Sequence, residues 1–177
     1  MTEAAILLAP GLEVLAAPHT AFGVLRLGRD ADPTAIAAIG RALQIDLPEA
    51  PNRSVGDRLR ALWTGPLEWT LIDASPAELA ALESACVGRL SHYADLTDAR
   101  VGLRIVGANA AALIASECPL DLSEAALAPG RCAQSLFADV PILIDRREGE
   151  GGFRLYVDVS LAAHLIAWLR AAAEGLA

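Results

Sequence analysis

Between Arg100 and Ile105, apolar Val101, Leu103 and Ile105 alternate with Arg100, Gly102 and Arg104, the pattern of a strand with one wet face. Elsewhere the period is helical. Leu79, Leu82, Cys86 and Leu90 recur at helical spacing and predict a helix from Ser75 to about Gly88. Its start is marked by Ser75-Pro76-Ala77-Glu78, a capping box in which glutamate follows serine by three residues. A second helix is predicted over 33–43, where Asp32 is the N-cap and Pro33 the first helical residue. The last begins near Ser160 and aligns Leu161, Leu165, Trp168 and Leu169 on one face, leaving Arg170 out. Thr64-Gly65-Pro66 joins two strands, and 147–152 forms a hairpin tip. The segment 48–57 reads as a mobile loop.

These elements recur in order. Val24-Leu25-Arg26-Leu27-Gly28, the helix over 33–43 and Ile45-Asp46-Leu47-Pro48-Glu49-Ala50 are echoed further on. The echoes are Gly102-Leu103-Arg104-Ile105-Val106-Gly107, a helical stretch over 110–117, and Leu120-Asp121-Leu122-Ser123-Glu124-Ala125. Both halves then close on a strand, an aspartate, a serine and a helix, at Asp73-Ala74-Ser75 and Asp158-Val159-Ser160. The expectation is one α+β domain over 1–177, made of two similar halves at about 20–90 and 93–174 and linked near Ser91-His92. Asp73 and Asp158 close strands ahead of helices and need no catalytic role.

Composition narrows the chemistry. The 177 residues suffice for one core. Net charge is −8 and every one of the 14 basic residues is arginine. Without lysine there is no Schiff-base amine and no phosphate-loop lysine. An acidic chain without a basic run argues against nucleic acid and anionic membranes as partners. The hydrophobic fraction is 54% and mean hydropathy +0.41. Either apolar surface is reserved for a partner subunit or abundant alanine inflates the index. The apolar stretch 4–17, broken by Pro10, Gly11 and Glu13, is neither a secretion signal nor a membrane span. Cys86, Cys118 and Cys132 lack metal-type spacing and read as reduced thiols of a cytoplasmic protein.

No nucleophile elbow, zinc-protease helix, dinucleotide fingerprint or phosphate loop is present. His19 and His92 fall in expected loops and His164 in the last helix, none with a metal-ligand partner nearby in sequence. His92, beside Tyr93 and close to Asp95, is the one remote general-base candidate. Cys132 follows Arg131, which can lower a thiol pKa, but no base is near in sequence, and a buried apolar role competes. Trp63 and Trp69 read as core residues.

The most specific segment is Cys118-Pro119-Leu120-Asp121-Leu122, followed by Pro129-Gly130-Arg131-Cys132-Ala133-Gln134. It resembles the hallmark stretch of the gamma subunits of heterotetrameric sarcosine oxidases. Asp95-Leu96-Thr97-Asp98, Gly65-Pro66-Leu67-Glu68-Trp69 and Phe153-Arg154-Leu155 resemble the same family, so coverage runs from about 22 to 169. That family is similar in turn to the folate-binding domain of aminomethyltransferase. The resemblance implies a duplicated α+β fold with antiparallel or mixed sheets, whose two subdomains exchange their first strands.

It implies function as well. The gamma subunit would be a non-catalytic accessory chain without a cofactor of its own, beside alpha, beta and delta subunits. NAD and folate would belong to alpha, FAD and FMN to beta, and zinc to delta. The assembly would demethylate sarcosine oxidatively to glycine and pass the one-carbon unit to tetrahydrofolate. Folate-binding relatives carry a glycine-bearing hairpin with paired acids. The matching Ser135-Leu136-Phe137-Ala138-Asp139 has no glycine, and Asp139 is its single weak folate candidate. Cys118, Pro119, Leu120, Asp121, Gly130, Arg131, Cys132 and Gln134 stand as subunit-interface or hallmark candidates. Proline ends the preceding helix, and glycine fits a turn that other residues resist. Arg131 and Gln134 offer multi-donor groups suited to an interface. The alternative is a free-standing folate-binding or aminomethyltransferase-like protein.

Overall fold

The computed structural model describes residues 3–175, so the extreme ends of the expected 1–177 span lie outside the described residues. The chain opens with β1 (Ala5–Ala9), β2 (Leu12–Ala16), β3 (Phe22–Leu27) and α1 (Pro33–Leu43). Then come β4 (Ser54–Val55), β5 (Arg60–Gly65), β6 (Glu68–Ile72), α2 (Pro76–Cys86) and β7 (Ser91–Asp95). The remainder is β8 (Arg100–Val106), α3 (Ala110–Ala115), β9 (Arg131–Phe137), β10 (Val140–Arg146), β11 (Phe153–Asp158) and α4 (Ala162–Glu174). Two compact units result. One joins the N-terminal segment up to Pro18 to everything from Asp98 onward; the other is His19–Thr97.

The first unit carries a six-stranded sheet in the order β1-β2-β8-β11-β10-β9. The second carries five strands, β4-β5-β6-β3-β7. All the described pairings are antiparallel, which makes the fold α+β. The orders correspond: β9-β10-β11-β8-β2 runs as β4-β5-β6-β3-β7 does, with β1 added outside β2. The strand ahead of β3 in sequence pairs with β8, and the strand ahead of β8 pairs with β3.

Local chemistry explains the borders. Asp32 Oδ1 accepts from Ala35 N at 2.9 Å to start α1, and the helix ends at Gln44 with φ of 57°. Ser75 and Glu78 close the expected capping box, Ser75 N to Glu78 Oε2 at 2.7 Å and Glu78 N to Ser75 Oγ at 3.3 Å. In β8, Leu103 and Ile105 enter the first core with Leu155, Leu165 and Leu169. Leu25, Ile39, Leu71, Trp69 and Leu82 form the second core. Burying each such side chain contributes roughly 1.5–3 kcal/mol. Gly102 has a specific reason: a Cβ there would lie 2.3 Å from Ala17 O, and Ala17 N donates to Gly102 O.

Several expectations are corrected. Ser91 and His92, expected as a link, open strand β7, so His92 is not in a loop. The expected loop 48–57 contains β4 and supplies Pro48 O to Trp69 Nε1 at 2.7 Å. Leu90 falls beyond α2 and is 74% exposed. In α4, Leu165 and Leu169 are buried but Trp168 is exposed, because the core takes a narrower stripe than the helical wheel offers, and Leu161, exposed too, falls in the 3-10 turn just before the helix. Asp73 and Asp158 differ in role. Asp158 accepts from Ser160 N and Oγ two residues on, whereas Asp73 (φ 61°) accepts from Thr20 N and Oγ, ahead of β3.

Candidate functional site

The hallmark stretch folds onto the first core. Cys118 is buried with Sγ 3.4 Å from Ser135 Oγ, and Leu122 and Leu127 enter the core while Leu120 packs against it. Pro119 is exposed just past α3 and its last turn. Asp121 Oδ1 accepts from Ser123 N at 2.9 Å, and these Ser123 bonds hold its carboxyl below the ordinary value. Gly130 takes φ of 77° and donates its N–H to Arg146 O at 2.7 Å, leading the chain into β9. Arg146 ties the stretch down, donating to Leu127 O and to Glu124 Oε1 while its guanidinium lies over Phe153. Arg131 stands opposite Arg146, fully buried Cys132 opposite Asp145, and exposed Gln134 opposite Leu143.

A cluster that the sequence reading missed lies on the face of this sheet away from the helices. Asp145 is fully buried, with Oδ2 3.3 Å from Arg147 Nε. Arg147 also donates to Tyr156 Oη at 3.3 Å and lies 3.7 Å from Glu150. Glu150 accepts from Arg154 Nε at 2.8 Å, and Glu3 bridges Arg154 and Arg104 at 3.3 and 2.9 Å. Burial acts to raise the Glu150 pKa, but its bonds with Arg154 and the charge of Arg147 outweigh it and hold the carboxyl below its ordinary value. Tyr156 is shifted up, chiefly by burial. Arginines and carboxylates alternate through the cluster, so it neutralises itself and offers a substrate no unmatched charge. The one signal in the sequence was Asp145 directly after the apolar run 140–144.

The other candidates remain apart. His19 Nε2 donates to Thr97 O at 3.1 Å beside the Phe22 ring. His92 is exposed on edge strand β7, and exposed His164 meets the Trp168 ring edge-on. Among the described residues no group of three or more His, Cys, Asp or Glu is placed to hold a metal, and no helix is long and apolar enough to cross a membrane. Asp139 sits exposed at the tip of the β9–β10 hairpin, where Ala138 and Asp139 take φ of 46° and 64°. That left-handed turn forms without a glycine.

Exposed large apolar residues occur in both units, at Leu8, Leu136, Val159, Leu161 and Trp168 in the first and at Val87 and Leu90 in the second. A cleft of about 590 Å³ between α2 and β7 is lined by Leu79, Leu82, Cys86, His92 and Tyr93, with Glu83 on its rim. Val87 and Leu90, 75% and 74% exposed, follow α2 directly. Tyr93 lies across Gly23, where a Cβ would meet its Oη at 2.2 Å. Burial and then Asp95 raise its pKa. A smaller cleft of about 210 Å³ lies beside the start of α1, lined by Asp30, Asp32, Arg89 and Leu90.

The fold is an α+β scaffold of the aminomethyltransferase kind. Glycine cleavage system aminomethyltransferase T from Bartonella henselae superposes with a TM-score of 0.62 at 21% identity, over 87% of this chain and 44% of that one. The chain itself belongs to the sarcosine oxidase, gamma subunit family, whose model matches residues 27–175. Sarcosine oxidase subunit gamma of Corynebacterium sp. strain U-96 is 32% identical over 81% of this chain and 72% of its own. That of strain P-1 is 29% identical over 75% of this chain and 66% of its own length. A chain of the heterotetrameric sarcosine oxidase from Corynebacterium sp. U-96, in complex with pyrrole 2-carboxylate, superposes with a TM-score of 0.84 at 28% identity, over 93% of this chain and 84% of that one.

Proposed function

We propose that this chain is the gamma subunit of a heterotetrameric sarcosine oxidase and works there as an accessory subunit. The carrying observation is the superposition on a chain of such an assembly over 93% of this one. On this reading alpha, beta and delta subunits are the partners, with NAD and folate on alpha, FAD and FMN on beta, and zinc on delta. The assembly demethylates sarcosine to glycine and hands the one-carbon unit to tetrahydrofolate. The matching strand orders support a duplicated scaffold of two halves, and the single acid of the 135–139 hairpin, Asp139, favours placing folate on another subunit. Pro119, Arg131 and Gln134 are interface residues on this reading, while Cys118, Leu120, Asp121, Gly130 and Cys132 shape the stretch that presents them.

Co-expression with the three other subunits tests the proposal. The chain is expected to co-purify with them in a complex showing flavin absorbance. Elution of the chain alone as a monomer, with the flavin in other fractions, contradicts it. Calorimetric binding of tetrahydrofolate to the isolated chain would instead support a free-standing folate protein.

A further inference from the structure

Strand β7 ends its sheet, and hydrogen bonding fixes which way its backbone faces. Leu96 N donates to Phe22 O at 2.8 Å and Gly28 N to Leu90 O at 2.7 Å. With the register Val24↔Ala94 and Arg26↔His92, the even-numbered residues spend their N–H and C=O groups on β3. Ser91, Tyr93 and Asp95 therefore turn theirs outward, along an edge that no strand covers among the described residues. An edge of this kind is a template for a further strand. Beside it opens the apolar cleft between α2 and β7, continuous in sequence with exposed Val87 and Leu90.

The first unit displays what such an edge takes. There β2 holds the position corresponding to β7, and β1 pairs antiparallel along its outer side. Ile6, Leu7 and Ala9 of β1 pack against the core that α4 covers, and Arg170 Nη2 donates to Ile6 O at 3.3 Å. No described strand does this for β7. We propose that the outer edge of β7 and the α2–β7 cleft receive an extended apolar strand from another subunit, added antiparallel as β1 is added to β2. The charges specify the occupant further. Two exposed acids lie along this edge, Glu83 in the cleft lining and Asp95 at the far end of β7, where its Oδ1 accepts from Thr97 N and Oγ, while Arg89 is turned back onto Ala85 O. The incoming segment thus alternates apolar residues into the cleft and carries a basic residue at its N-terminal end, which an antiparallel strand brings to Asp95.

This rests on the reading of the chain as a subunit, and adjacent prolines test it in the co-expressed complex. Ser91→Pro removes an outward N–H and leaves the β3 ladder intact. It is expected to keep the thermal midpoint of the isolated chain within a few degrees while weakening association about tenfold or more. Val87→Ser, at an exposed position, is expected to weaken association by a smaller factor. His92→Pro removes an inward N–H and is expected to destabilise the isolated chain itself. In hydrogen exchange, the amides of Ser91, Tyr93 and Asp95 are expected to slow roughly 100-fold on assembly. Normal assembly of Ser91→Pro, together with no added protection of the Ser91, Tyr93 and Asp95 amides in the wild-type complex, overturns the strand addition and leaves the subunit reading standing. Protection of the same amides in a homodimer of the isolated chain identifies a second copy as the occupant and overturns the partner assignment. Failure of the wild-type chain to join the other subunits contradicts both readings.

Discussion

The two units build corresponding sheets but complete them differently. In the first, β1 covers the edge of β2, and α4 sinks Ala162, Leu165, Leu169 and Ala173 into the core. In the second, β7 stays at the edge, and α2 fully buries only Leu82. The first unit also locks its second sheet face with the ionic cluster around Asp145 and Arg147. One sheet plan can thus give a half whose edge is covered by an added strand and a half whose edge stays open beside an apolar cleft. The difference lies in a five-residue strand and one helix face.

Perturbations of graded size can break or sharpen this contrast. Asp145→Ala leaves Arg147 buried without its closest carboxylate and is expected to cost the isolated chain about 3–5 kcal/mol in chemical denaturation. A loss under 1 kcal/mol would mean the first unit does not depend on that cluster. Leu165→Ala and Leu82→Ala come next. The sealed site at Leu165 is expected to lose about 3 kcal/mol, and Leu82, beside an open cleft that can relax, about 2. Equal losses would erase the distinction between the helices.

Ser75→Ala removes the cap of α2 and is expected to cost about 1 kcal/mol. The same cap gives the second unit an acid sensitivity. Burial acts to raise the Glu78 pKa, yet the Ser75 bonds and Arg58 outweigh it and hold the carboxyl below its ordinary 4.5. Its stabilisation is therefore complete above that value and is lost as pH falls through the lower folded-state pKa. Thermal midpoints followed from neutral pH downward should fall less steeply for Glu78→Gln than for the wild type. The smallest effect is expected at the β9–β10 turn. Ala138→Gly relieves a left-handed alanine and should stabilise the chain by up to about 1 kcal/mol in the same denaturation assay.

Elements with explicit punctuation were legible in the sequence. Asp32-Pro33 and Ser75-Pro76 set the starts of α1 and α2 at the observed residues, and the alternation at 100–105 lies within β8. Strand β7 was not legible, because Ser91-His92-Tyr93-Ala94-Asp95 lacks an apolar face and owes its conformation to pairing with β3. Two-residue β4 is too short to leave a periodic signal. Nor could local pattern show that the hairpin turning at Pro10-Gly11 joins a sheet built by residues far along the chain. At the candidate site, the turn chemistry of Asp121 and Gly130 was readable from residue type. The cluster of Asp145, Arg147, Arg154 and Glu3 was not, since hairpin register and a distant N-terminal residue assemble it.

Native mass spectrometry of this chain co-expressed with alpha, beta and delta subunits tests the central claim most directly. One dominant species containing all four chains is expected. This chain recorded at its own 18.4 kDa, beside a complex of the others that lacks it, would contradict the account.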